Sequence, residues 1–115
     1  MQLNEPLDLE AAAHALKVLG DKTRLSIAKI LSEQECCVCE LVDLFDMSQP
    51  AVSQHIRKLK DYGIVKEKRK SQWIFYSLNA SSPFYGFIGT ILDSLPSQRH
   101  KLVELEQQGK RICCK

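Results

Sequence analysis

Several familiar signatures are missing from this chain of 115 residues. No apolar run approaches the roughly 18 to 20 residues that a membrane-crossing helix needs, so no span is expected. The opening stretch, MQLNEPLDLE, has no basic segment ahead of an apolar one and does not read as a secretory signal. The expected location is therefore the cytoplasm, with no membrane partner. A Gly-rich phosphate loop, a nucleophile elbow and a His-Glu helix motif are all absent, and so small a chain has little room for a catalytic cleft. An enzyme is not expected. Internal repeats and low-complexity tracts are lacking, and only 5 Gly and 4 Pro interrupt a composition that is 44% hydrophobic and 26% charged. Those proportions are those of an ordinary folded domain, not of a disordered or fibrous chain.

The charge that is present is unevenly placed. The formal net charge is only +2, yet residues 1–47 carry four basic and nine acidic groups, residues 48–72 seven and two, and residues 73–115 five and three. The middle third is electropositive, which favours a polyanionic partner, because neutralising phosphates releases counterions.

Apolar spacing predicts the elements. Leu9, Ala12, Ala13, Leu16 and Leu19 line one helix face that Gly20 stops, and Asp21 or Lys22 opens a second helix with Leu25, Ala28 and Leu31 on a stripe flanked by Ile27 and Ile30. A short stretch from Val38 to Phe45 buries Val38, Leu41, Val42 and Phe45. Asp46 and Met47 make a turn, Ser48 is a helix N-cap, and Pro50 falls in the first helical turn, where its missing N–H costs nothing. The helix that follows turns Val52, Ile56 and Leu59 toward a core and ends at Tyr62 and Gly63. Ile64–Lys70, Ser71-Gln72 and Trp73–Leu78 read as a hairpin with a basic tip. Pro83 starts a further helix whose stripe of Phe84, Phe87, Ile88, Ile91, Leu92 and Leu95 exceeds what one small domain needs inside, so it is expected to be a dimer face. Pro96 breaks the chain, and a charged helix with Leu102 and Leu105 runs from Ser97 to Gly109 into a tail, Lys110–Lys115. One domain is expected over 1–98, with a C-terminal helix and cysteine-containing tail over 99–115.

This order of elements is that of a winged helix-turn-helix: mainly α, with a β-hairpin wing. Its reading pair is Val38–Phe45 and Ser48–Tyr62, the second helix entering the major groove. Ser48, Gln49, Ser53 and Gln54 lie at the start of that helix, where amides and hydroxyls meet base edges. Arg57, Lys58 and Lys60, with Lys68, Arg69, Lys70 and Gln72 on the wing, are placed for phosphates. His14 and His55 read as structural or DNA-adjacent.

The segments LGDKTRLSIAKIL (Leu19–Leu31), CVCELVDLF (Cys37–Phe45), SQPAVSQHIRKLKDYGIVKEKRK (Ser48–Lys70) and WIFYSL (Trp73–Leu78) resemble, in order, the successive blocks of the ArsR/SmtB family of metal-responsive repressors. The resemblance covers roughly residues 9 to 95. It implies a homodimer that sits on a pseudo-palindromic operator when metal-free, needs no cofactor to bind DNA, and leaves when a metal or metalloid binds.

Five cysteines in a chain expected in a reducing compartment are ligands or reactive groups before they are disulfides. Cys36, Cys37 and Cys39 place three sulfurs within four residues, a soft site suited to thiophilic ions. On a regular helix, residues two apart point about 200° from each other, so Cys37 and Cys39 share an ion only if the helix start unwinds, whereas Cys36 and Cys39 share a face. Chelation would then deform the first helix of the pair, tilt the second and lower DNA affinity. Cys37, Val38, Cys39, Glu40 and Leu41 are similar to the thiol motif of the family's arsenic-responsive and cadmium- or lead-responsive members. Trivalent arsenic or antimony takes three thiolates, and this cluster holds three in one chain, so arsenite or antimonite is the expected inducer. The arsenical pattern has a further cysteine at the position of Val42, so the third sulfur is expected from Cys36, with Cys113 and Cys114 as auxiliary candidates.

Cadmium or lead is the nearest alternative, although relatives that sense them add cysteines from an N-terminal extension and none precedes Cys36. Zinc sensing would draw on Asp93, His100 and Glu104. Cys36 and Cys39 also have Cys-x-x-Cys spacing, which admits a thiol-based redox-sensing repressor, and Cys36, Cys39, Cys113 and Cys114 would make four ligands of a structural zinc site without zinc-finger knuckles.

Overall fold

In a computed structural model, residues 8–108 are described, and the tail cysteines Cys113 and Cys114 lie outside them. Six helices and three strands follow in the order α1 (Leu9–Leu19), α2 (Lys22–Glu33), β1 (Cys36–Cys37), α3 (Val38–Phe45), α4 (Gln49–Asp61), β2 (Val65–Lys70), β3 (Trp73–Leu78), α5 (Tyr85–Asp93) and α6 (Arg99–Gln107). The expected winged helix-turn-helix is present, mainly helical with an antiparallel sheet in the order β1-β3-β2. No described helix is long and apolar enough to cross a membrane.

Side-chain caps set the helix starts. Asp8 accepts from the Ala11 N–H at 2.8 Å, Asp21 from the Arg24 N–H at 3.0 Å and Ser48 from the Ala51 N–H at 3.2 Å. The Arg24 N–H holds the Asp21 carboxyl below its usual titration range. Three turns use left-handed backbone: Gly63 (φ 80°) releases α4 into β2, Asp46 (φ 51°) joins α3 to α4, and Ser71 (φ 60°) turns β2 into β3. A short polar side chain tolerates that conformation where a branched one does not.

One core joins the elements: Ala15 and Leu19 of α1, Ile27, Ala28 and Ile30 of α2, Leu41 of α3, Val52, Ile56 and Leu59 of α4, and Ile88 and Leu92 of α5. Leu102 of α6 belongs to the same core, and α6 packs against α3, so Arg99–Gln107 is docked on the body. Glu33 fastens its start, accepting from the Gln98 N–H at 2.7 Å while Arg99 donates to the Glu33 carbonyl.

Four expectations are corrected. The buried face of α1 is Ala15 and Leu19, whereas Leu9 is 89% exposed and Leu16 48%, because packing on α2 selects the small-residue side of the helix. The helix expected from Pro83 begins at Tyr85, and the one expected over Ser97–Gly109 is Arg99–Gln107. Within the proposed dimer stripe, Phe84, Ile88 and Leu92 fill the protomer's own core, Phe87 and Leu95 pack against it while half-buried, and Ile91 is half-buried. Finally, Cys36 and Cys37 are not helical: they form β1, paired with Tyr76 and Phe75 of β3.

Candidate nucleic-acid interface and thiol site

The reading helix α4 sits on Val52, Ile56 and Leu59, and this apolar footing turns its other side outward. Ser48, Gln49, Gln54, Arg57, Lys58 and Lys60 are exposed, and Ser53 is half-buried. Lys68, Arg69, Lys70 and Gln72 are exposed on the wing, whose two-residue turn is closed by Ser71 at φ 60°. The expected DNA-facing residues therefore lie on α4 and on the hairpin beside it. Charge alone had not revealed that two of the lysines are engaged: Lys60 pairs with Glu67 at 3.1 Å, and Lys70 with Glu35. Lys70 also stands 5.1 Å from the centroid of the Phe75 ring. Between α4 and the sheet, a cavity of about 260 Å³ is lined by Ser53, Arg57, Lys60, Glu67 and Tyr76. Burial, reinforced by the Glu67 carboxylate, pushes the Tyr76 hydroxyl above its ordinary titration range.

His55 faces inward along α4. Its Nδ1 lies 3.2 Å from an Arg24 guanidinium nitrogen, and the same Arg24 donates through Nε to the Val18 carbonyl at 2.6 Å. A guanidinium only donates, so Nδ1 is the acceptor in this contact. His14 meets Tyr62 edge-on at 5.9 Å, and Tyr62 stacks on Phe84 at 5.3 Å. His55 is half-buried beside Arg24, and His14 meets the Tyr62 edge from an exposed position.

The thiol segment sits at the junction of sheet and helix. Cys37 is the N-cap of α3 with extended backbone (φ −95°, ψ 170°), and its N–H donates to the Glu40 carboxylate at 3.0 Å. Glu40 is only 1% exposed. Because Cys37 is extended and Cys39 helical, their sulfurs approach to 2.9 Å without any unwinding of the helix. Cys36 is fully buried among the core residues, with its thiol 3.6 Å from the Gln34 carbonyl oxygen. Among the described residues, no three Cys, His, Asp or Glu side chains gather into a metal-binding group. Asp93, His100 and Glu104 are exposed on α5 and α6. The pair supplies two soft sulfur donors, the donor type that thiophilic ions select.

A family profile described as "Bacterial regulatory protein, arsR family" matches residues 21–67. The chain is 40% identical over 68 residues to an arsenic resistance transcriptional regulator of Pseudomonas putida, covering 58% of this chain and 53% of that one. An arsenical resistance operon repressor of Staphylococcus xylosus is 38% identical over 78 residues, 68% of this chain and 73% of the relative. A cadmium resistance regulatory protein CadC homolog of Staphylococcus aureus is 39% identical over 75 residues, 64% and 60% respectively. The chain thus spans about half the length of the Pseudomonas relative. Among solved structures, HlyU from Vibrio cholerae superposes with a TM-score of 0.64 at 30% identity, covering 79% of this chain and 94% of that one.

Proposed function

The chain belongs to the arsR family of bacterial regulatory proteins, and from that premise we propose that it is a DNA-binding transcriptional repressor, not an enzyme, induced by trivalent arsenic or antimony. Cys37 and Cys39 hold the inducer, with a third thiolate from Cys36 and with Cys113 and Cys114 as auxiliary donors. The observation that carries this reading is the 2.9 Å approach of the Cys37 and Cys39 sulfurs at the first turn of α3, the helix that leads into α4. The protein acts as a homodimer through the half-buried Phe87 and Ile91 of α5 and Leu95 just beyond it, and so reads a pseudo-palindromic operator with half-sites about one helical turn apart. In each protomer Ser48, Gln49, Ser53 and Gln54 meet base edges, while Arg57, Lys58 and Lys60, with Lys68, Arg69, Lys70 and Gln72, meet phosphates.

Linkage sets the energetic requirement. The inducer must bind the DNA-free form more tightly, typically by about 5 to 150-fold, and DNA must weaken the inducer by the same factor. Cadmium is the second reading, favoured by the likeness to the cadmium-resistance relative and by a sulfur pair equally suited to a soft divalent ion.

The test is fluorescence anisotropy of a labelled duplex from the chain's own promoter, at fixed salt under reducing conditions, as arsenite, cadmium and zinc are titrated in turn. Arsenite is expected to release the wild type at the lowest concentration and to leave Cys37→Ser/Cys39→Ser bound. Release by cadmium first would transfer the site to the second reading. Release that survives both substitutions would remove these cysteines from the mechanism.

A further inference from the structure

Each cysteine of β1 stands at the end of a rung that crosses the wing sheet. Cys37 lies opposite Phe75, and Phe75 opposite Lys68; Cys36 lies opposite Tyr76, and Tyr76 opposite Glu67. Both rungs run beside an ion pair that holds a lysine of the DNA-facing set. Glu67 holds Lys60 of α4, and Lys70, seated over the Phe75 ring, is held by Glu35. Glu35 precedes the first sulfur-bearing residue directly, so the carboxylate that engages the wing and the thiols occupy one short segment against β3.

Lys70 has one charge to place. While it is paired with Glu35 its ammonium is spent on a carboxylate, and on DNA a phosphate competes for it. Both partners are partly exposed, with side-chain exposures of 46% and 38%, so the pair is weak enough for a polyanion to open.

We propose that Glu35 is the positioning residue through which thiol ligation is read at the wing. In the DNA-free form Glu35 holds Lys70 and seats residues 34–37 against β3; on the operator Lys70 leaves Glu35 for a phosphate. An inducer on Cys37 and Cys39 fixes the seated segment, keeps the Glu35–Lys70 pair closed and withdraws a phosphate contact. Inducer and DNA thereby favour opposite states of one ion pair, which is the differential interaction that coupling demands. The reading helix keeps its footing on Val52, Ile56 and Leu59 and need not tilt. This inference rests on the assignment of the inducer to Cys37 and Cys39.

The experiment measures DNA affinity with and without arsenite, over a salt series, for the full-length wild type, Glu35→Gln, Lys70→Gln and the double variant. Glu35→Gln is expected to bind DNA about two- to fivefold more tightly without arsenite and to lose a similar factor from its arsenite-induced release. Lys70→Gln is expected to flatten the salt slope by about 0.9 per protomer and to lose the same part of the release. In the double variant, Glu35→Gln should add nothing to Lys70→Gln. Lys66→Gln removes an equal charge from β2 outside the pair and should leave the release factor as in the wild type. A wild-type release factor in Glu35→Gln, or additive effects in the double variant, overturns this proposal alone. Release of the wild type that survives Cys37→Ser/Cys39→Ser overturns the thiol assignment and this proposal with it.

Discussion

The thiol segment and the reading helix flank α3 in the chain, and they are held in opposite ways. The reading helix rests on one apolar face and leaves its other side to solvent, so it is fixed by burial and is free in its chemistry. The thiol segment is held from several directions by specific polar pairs: Glu40 on the Cys37 N–H, Glu35 on Lys70, and β3 along its edge. A surface that meets a partner tolerates exchange of its side chains, whereas a close-packed segment passes any displacement to its neighbours. The reading helix and the thiol segment thus make different demands, and substitutions can separate them.

The largest effect is expected where both regions share the core. Leu41→Ala in α3 removes a fully buried side chain and should cost about 2 to 5 kcal/mol in denaturant unfolding. Glu40→Ala strips the partner from the Cys37 N–H inside the fold and should cost about 1 to 3 kcal/mol by the same measurement. On the reading-helix side, Ser48→Ala loses only an exposed cap and should cost about 1 kcal/mol. If Ser48→Ala proved as costly as Glu40→Ala, the contrast between the regions would fail. Arg57→Gln sharpens it from the other end: stability should stay within about 0.5 kcal/mol while the salt slope of DNA binding flattens by about 0.9 per protomer.

A pH-dependent contribution belongs to the docking of α6. Burial raises the Glu33 carboxyl, but the Ser97 hydroxyl and the Gln98 N–H outweigh it and hold the group below the ordinary glutamate range. A depressed carboxyl contributes stability that is present above the unfolded value and lost as pH falls through the folded one. Acid unfolding curves should therefore show a loss as pH falls that Glu33→Gln reduces, leaving the part that the depressed Asp21 carboxyl contributes.

What was legible in the sequence follows the same division. The reading helix was legible because its signals are local: a serine cap, an early proline, three apolar residues at helical spacing and a glycine beyond the end. The hairpin was legible from its β-branched and aromatic residues. β1 was not, because two cysteines become a strand only through pairing with β3, some forty residues away in sequence. The expectation that Cys37 and Cys39 need an unwound helix failed for that reason, since one of the two was never helical. α1 misled through its larger residues: Leu9 and Leu16 follow helical spacing as well as Ala15 and Leu19 do, and only the fit against α2 decides between the faces. The ion pairs on Lys60 and Lys70 carry no sequence signature, because each joins two elements whose approach the fold sets.

Lys29 in α2 is buried to 8% exposure and donates to the Leu92 carbonyl in the last turn of α5 at 2.9 Å, whereas every other described lysine is exposed. An amine-reactive reagent will find it last among them. Its acylation rate is therefore a chemical clock for the parting of α5 from α2, readable by mass spectrometry in the unaltered protein at any stage of DNA or inducer binding.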